Sequence, residues 1–449
     1  MIAAVHTWAQ VSPAPAATDT SLPDTSQAAA SADVQDNRMM TPPPVSGESY
    51  PSVGTAGERS NYLRYGFMFM TAYSDNVLGG VSPNPVSDVS YSIWPTISLD
   101  QSTPRLHSVL TYSPGFTFYQ KTSSRNEADQ NASGRFDYRL TQHVTVNVQD
   151  TFQKSSSVFN QPDFGTAPIS GSAQQPLVPV IAPLADRISN TANGGINYQF
   201  APNSMIGANG TFTLLDYSNP AQVPGLYNSR SEAGSAFYNH RLSKKHYMGL
   251  TYQYARILAY PIGSQMGAQS ETQTHAVLGF YTVYFTPALS LSVSGGPQHV
   301  DATESPFPAY HAWSPAGTAS LGWQTRRLGL AAVYSRTVTS GGGLVGAYDS
   351  SNAGGSVNVQ ITRSWSAGAS ATYGIYETQS SLLSLSSSGG HTISGTATVR
   401  HSVGEHLSIE GGYSRLHQSY ETIAAVAAFP DTNREYLSLS YHFARPLGR

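Results

Sequence analysis

The side chains of this chain that could do chemistry are few, and most of them fall at every second position. Arg135, Asp137 and Arg139 alternate with Phe136 and Tyr138, and Asn147 and Gln149 alternate with Val146 and Val148. The same spacing yields Asn358 and Gln360, and further on Arg400 and Glu410. Arginine offers a rigid fork of donors, carboxylates accept, and amides do both. Set in rows around a wet bore, such groups would sort polar solutes by charge. Asn197, Gln199, Asn209 and Gln253 belong to the same pattern. Two readings of the arginines stay open. Either Arg135, Arg139 and Arg400 favour anions or acidic sugars, or they pair with Asp137 and Glu410 and hold a wall together.

Catalytic chemistry finds little support. The 13 histidines are scattered, among them His275, His299, His311, His391, His401, His406 and His417, with no H-E-x-x-H spacing. No G-x-S-x-G signature is present either. The histidines read as solvated or bore-lining groups. Glycine pairs such as Gly194-Gly195 and Gly411-Gly412 lack the Lys-Ser/Thr of a phosphate loop. Inside strands they mark bends and close approach. With no cysteine, disulfides and thiolate metal sites are ruled out, and neither metal nor cofactor is expected. A formal charge of -3 argues against a nucleic-acid partner.

The elements that must carry these residues follow from the alternation itself. Val144-Thr145-Val146-Asn147-Val148-Gln149 puts three valines on one face and three polar groups on the other, as successive strand side chains do. Val357 to Thr362, Leu289 to Ser294 and Leu437 to Phe443 repeat it. Charged residues are only 11% and mean hydropathy is -0.26, yet no stretch approaches the roughly 18 apolar residues of a spanning helix. The longest apolar run is Ile423 to Phe429. From residue 60 onward the pattern predicts an all-β fold, a transmembrane antiparallel up-and-down β-barrel of about eighteen strands, with sixteen as the fallback. The first strand is expected at 60–74 and the last at 433–443.

Connections alternate between short and long, as in membrane barrels with short periplasmic turns and longer external loops. Short turns are expected at Thr141-Gln142, Pro202-Asn203, Thr325-Arg326, Ser364-Trp365-Ser366 and Gly404-Glu405. The longest loop, Lys154 to Asp186, carries five prolines and is expected to fold inward as a constriction or to form an external flap. Aromatic pairs near strand ends are expected to form girdles at the headgroup level: Tyr62 and Tyr65, Phe116 and Phe118, Phe136 and Tyr138, Tyr198 and Phe200, Tyr252 and Tyr254, Phe280 and Tyr284. Residues 1–59 divide from the barrel at 60–449. Met1 to Gln10 reads as the end of a signal peptide whose beginning was lost to a misplaced start, or else as a disordered terminus. Up to about Ser60 the Ala, Pro and Ser composition predicts a disordered periplasmic tail.

The segment Met68-Phe69-Met70-Thr71-Ala72-Tyr73-Ser74-Asp75-Asn76-Val77, with Ser87-Asp88, Pro114-Gly115-Phe116 and Phe136-Asp137-Tyr138-Arg139-Leu140, resembles the β-barrel porin 2 family. The resemblance is clearest over residues 62–155 and architectural thereafter. It implies residence in the bacterial outer membrane and, for some members, association with export of extracellular polysaccharide. It supplies no catalytic residues. The expected function is a porin-like passive channel or polysaccharide-export pore. The alternatives are a non-conducting structural or surface-binding barrel and, last, a barrel enzyme acting on lipid or polysaccharide. Expected partners are outer-membrane lipids, the barrel-insertion machinery, and polysaccharide or small solutes. Leu439, Tyr441 and Phe443 resemble the terminal signal read by that machinery, although Ala444 to Arg449 follow where a terminal Phe is usual. The low-complexity residues before the first strand are not expected to form a plug domain, which disfavours a TonB-dependent transporter.

Overall fold

A computed structural model describes residues 61–446 except 79–83, 158, 160–184, 220–225, 263–268, 287, 305–308, 340–347, 379–388 and 421–430. The expected signal remnant and tail at 1–59 lie outside the described residues, as does most of the loop expected to fold inward. Eighteen antiparallel strands form one sheet, each bonded to its sequence neighbours, and β1 (Asn61–Ser74) pairs with both β2 (Asp88–Ser102) and β18 (Asp431–Pro446). The sheet is therefore closed, and sixteen strands is excluded. The last strand runs three residues beyond the expected Phe443, with Ala444 opposite Arg64 and Pro446 opposite Tyr62. Among the described residues no helix is long and apolar enough to cross a membrane.

Each strand turns its apolar set outward. Phe67, Ile93, Phe116, Val148, Ile196, Leu250, Val293 and Leu437 are all well exposed, while their polar neighbours face the bore. Hydroxyl pairs bridge adjacent strands on the inner face: Ser92 to Thr117 at 2.9 Å, Ser98 to Thr111 at 3.0 Å, Ser370 to Thr396 at 2.8 Å. Closure leaves no unpaired edge, the condition for a sheet to sit in hydrocarbon. A closed barrel with an apolar outer wall makes this an outer-membrane protein.

Four short turns share one local device. In Thr103 to Leu106, Thr141 to Val144, Thr325 to Leu328 and Thr362 to Trp365, the threonine hydroxyl accepts the N–H three residues on, at 3.0 to 3.1 Å. Side chains that mimic a backbone turn acceptor fix the reversal locally. Gly404 provides another reversal with φ at 75°, a conformation that favours glycine.

Three aromatic assignments need correction. Phe280 and Tyr284 on β10 (Ser270–Thr286) are not girdle residues: Phe280 is buried and Tyr284 packs edge-on against Tyr247, their rings 5.8 Å apart. Their even numbers place them on the inner face of that strand, whose outward residues are Val277 and Tyr281. Tyr62 shares the parity of buried Met70 and Ala72 and so falls on the inner face of β1, whereas Tyr65 and the remaining expected pairs keep outward positions, with Phe118, Tyr138 and Phe200 all exposed.

Above the short gap between β1 and β2, the Asp75-Asn76 pair fastens the seam of the barrel. The Asn433 backbone N–H and side-chain amide donate to the Asp75 carboxylate at 2.7 and 2.6 Å. The Asn76 amide donates to the Asp431 carbonyl at 3.0 Å, and the Tyr413 hydroxyl donates to Asn433 at 2.6 Å. First and last strands are thus tied by side chains where their ladder ends.

Candidate functional site

The bore has two unlike halves. Its periplasmic half, near the short turns, carries an arc of charge across β1 to β4 (Glu127–Arg139), passing through β3 (Leu106–Tyr119). Arg64 lies 3.5 Å from Asp100, His107 lies 3.5 Å from Asp100 and 3.9 Å from Asp137, and Arg135 donates to Asp137 at 2.8 Å. Regular alternation explains the convergence: each residue takes the inner face opposite Leu63, Leu99, Leu106 or Phe136. His107 and Arg135 keep side-chain exposures of 45% and 50%, so this stretch of wall borders open space.

The sequence-selected residues distribute unevenly around this arc. Arg135 faces Gln149 and Asp137 faces Asn147 across the junction with β5 (Val144–Ser155), and Arg139 lies one position lower opposite Thr145. No ion pair engages Arg139 among the described residues. The Asn147 amide lies over Gly195 together with that of Asn209; a Cβ there would sit 2.7 and 2.0 Å from their oxygens. Asn358 covers Gly368 in the same way. The Gln360 amide instead donates to Thr362 O at 2.6 Å and so braces its turn. On the flank of the arc beyond β1 and β18, Arg400 stands opposite Glu410, which accepts from the Tyr436 hydroxyl at 2.9 Å. Arg64, Asp100 and His107 were missed by the sequence reading, although their alternation with Leu63, Leu99 and Leu106 marks them as inner-face residues.

The extracellular half is packed. Ala185, Leu215, Tyr217, Leu226, Ile262, Tyr348, Tyr376 and Tyr420 form one continuous cluster. Leu215 and Tyr217 belong to β7 (Ser204–Tyr217), whereas the other tyrosines belong to β14 (Tyr348–Gln360), β15 (Trp365–Thr378) and β17 (Leu407–Tyr420). β7 stands seven or eight places from each of these three strands around the eighteen-strand ring, so the cluster crosses the bore. Leu226, Tyr376 and Tyr420 are only 2 to 3% exposed. Tyr376 and Tyr420 stack at 6.4 Å, and the Tyr420 hydroxyl meets Thr392 at 2.8 Å, giving the buried phenol a polar partner. Nearby, the guanidinium of Arg434 on β18 lies over the Phe159 ring at 5.7 Å. Phe159 and Ala185, which flank residues 160–184, therefore both enter the bore.

Five of the histidines, His275, His299, His311, His391 and His417, lie on the outer face near the extracellular rim and do not line the bore. His299 and His311 both contact Asp301, and His417 contacts Asp431. Among the described residues no group of three or more metal-binding side chains has a geometry that could hold an ion. Ser204 and His240 are hydrogen-bonded at 2.9 Å, but no carboxylate forms an ion pair with His240 among the described residues. The Ser–base–orienting-acid arrangement of a hydrolase is incomplete at that pair.

No family model matches this chain, and no curated protein matches it. Solved structures do. OccK2 (OpdF) of Pseudomonas aeruginosa is similar over 86% of this chain and 98% of its own, at 8% identity and a TM-score of 0.44. OpdQ of Pseudomonas aeruginosa covers the same shares at 9% identity and a TM-score of 0.41. The FrpB iron transporter of Neisseria meningitidis matches over 80% of this chain and 62% of its own, at 10% identity and a TM-score of 0.39. Similarities this low carry no property from those proteins to this one.

Proposed function

We propose that the protein is a porin-like channel of the outer membrane whose extracellular end is closed in this conformation by the tyrosine cluster. The observation that supports this reading is the asymmetry of the bore: an open, charged periplasmic vestibule ends beneath buried Tyr217, Tyr348, Tyr376 and Tyr420. A barrel that served only as a scaffold would have no use for a hydrated charged arc beneath an apolar closure. Porin-sized bores commonly require a constriction, and segments entering the bore at Phe159 and Ala185 could provide one.

The same cluster favours a second reading, a barrel with no through-path whose function lies on its external face. Planar-bilayer recording separates the two. On the channel reading the wild-type protein shows small or rare conductance steps, and Tyr376→Ala with Tyr420→Ala raises conductance several-fold. If both proteins remain silent while the variant still shows a folded, heat-modifiable barrel, the non-conducting reading stands.

A place in extracellular-polysaccharide export, and membership of the β-barrel porin 2 family, rest on the resemblance over residues 62–155. Deleting the gene and measuring surface polymer tests the export role. Undiminished polymer would remove it and leave the channel reading untouched.

A further inference from the structure

A polar collar rings the outer wall near its extracellular rim, and it has a gap. On β8 (Asn228–Arg241) through β11 (Leu289–Glu304), Arg230 pairs with Glu232, Arg256 with Glu271 at 2.7 Å, and His299 with Asp301 at 3.2 Å. Further round, Arg336 pairs with Asp349 at 2.6 Å and Arg415 with Asp431 at 3.0 Å. Each of β4 to β18 carries an ionisable or amide side chain in one of its three uppermost outward positions. On β1, β2 and β3 those positions hold Tyr73, Thr71 and Phe69; Val89, Tyr91 and Ile93; and Phe118, Phe116 and Pro114. The rings and Ile93 are 41 to 51% exposed.

The gap is a problem of height. The outward face of β3 stays free of charge from Leu106 to Phe118. At about 3.3 Å per residue and a tilt near 40°, that is roughly 30 Å, against an apolar band of about 25 Å in membrane barrels. The surplus lies where the other strands place ion pairs, at the hydrated headgroup layer. Apolar surface left there costs about 25 cal/mol per Å². Tyr73, Tyr91 and Phe118 suit the aromatic girdle at that level, but Val89, Ile93 and Pro114 beside them have no polar tip, and another apolar wall would cover them.

Size and shape indicate which wall. Four strands from β1 to β4, about 4.8 Å apart and about 45 Å long, present roughly 850 Å², close to the ~800 Å² that each partner contributes to a stable interface. The surface is rich in Tyr and Phe, as interface cores are. Beside the aromatic ridge of β3 runs a strip of small residues on β4, Ala128, Ala132 and Gly134, interrupted by the exposed amide of Gln130. A ridge and a strip on one molecule are the two halves of a contact repeatable between identical chains. We propose that the β1 to β4 face docks a second copy of this chain, wall to wall in the plane of the membrane.

Because the chain has no cysteine, the contact can be tested without a background. Phe116→Cys and Tyr91→Cys, treated in native membranes with a flexible bis-maleimide, should give a species of twice the chain mass. Tyr334→Cys, exposed on β13 (Leu328–Thr339) on the far side of the barrel, should not. Phe116→Arg with Tyr91→Arg should convert the protein purified in mild detergent to monomer by light scattering, with its heat-modifiable barrel retained. The proposal is overturned by monomer only from both face cysteines, by equal cross-linking at Tyr334→Cys, or by cross-links to a different protein.

Discussion

At the scale of single residues, the family-like segment around Tyr73 to Val77 has a mechanical role: Asp75 and Asn76 fasten the one junction of the barrel whose strands are most distant in sequence. The Asp75 carboxylate accepts two hydrogen bonds from Asn433, which itself accepts from Tyr413. Bonds to an ionised acceptor contribute more than neutral ones, about 1.5 to 3 kcal/mol each. Asp75→Ala should therefore lower the stability of the closed barrel by about 2 kcal/mol, read as a lower urea midpoint for loss of the folded band on gels. An unchanged midpoint would mean that the ladder between β1 and β18 holds the seam alone. A second residue-scale expectation concerns Gly195, where two asparagine side chains lie across the backbone. Gly195→Val should lower folding yield because its Cβ collides with the amides of Asn147 and Asn209. Asn209→Ala added to it should restore part of the yield, since the closest contact, at 2.0 Å, is to that side chain.

At the scale of elements, β18 shows how much a sequence can reveal and where it stops. Leu439, Tyr441 and Phe443 are exposed outward, opposite Phe69, Phe67 and Tyr65, and the rings of Phe443 and Tyr65 lie 5.2 Å apart. Phe443→Ala should reduce the amount of protein reaching the outer membrane. Tyr65→Ala tests the cause: equal loss from both variants would assign the effect to ring packing and not to a signal in the last strand. The alternation of Leu437, Leu439 and Tyr441 with serines was legible because a period of two is local and binary. The eighteen-strand count followed from it, since every crossing needs its own run of alternation. The strand's extension to Pro446 was not legible, because it depends on Tyr62 to Arg64 being free to pair with it. Phe280 and Tyr284 were misread for a related reason. An aromatic near a strand end suits either a girdle or the inner wall, and only parity against Val277 and Tyr281 decides. Arg135 and Asp137 could be placed on a face from sequence, but their meeting with Asp100 and His107 depends on register between strands.

At the scale of the whole molecule, the tyrosine cluster could not have been read from the chain at all, because Tyr217 and Tyr420 sit on opposite walls and are brought together only when the barrel closes. What enters from the other end meets the charged arc first. Its carboxylates, Asp100 and Asp137, lie among Arg64, Arg135 and Arg139, so the vestibule has nearly balanced charge and should discriminate weakly between small ions. Replacing both carboxylates tips that balance. In a background opened by Tyr376→Ala and Tyr420→Ala, adding Asp100→Asn and Asp137→Asn removes two negative charges from beside Arg64, Arg135 and Arg139. The reversal potential in a potassium chloride gradient should then shift toward that of chloride, with a several-fold rise in relative chloride permeability. The shift should be large near 0.1 M salt, where charges are felt over about 10 Å, and small near 1 M, where the range falls to about 3 Å. A shift of the same size at both concentrations would mean that the substitutions reshaped the bore. No shift at low salt would mean that ions cross without passing the arc, and the vestibule would lose its role in selection.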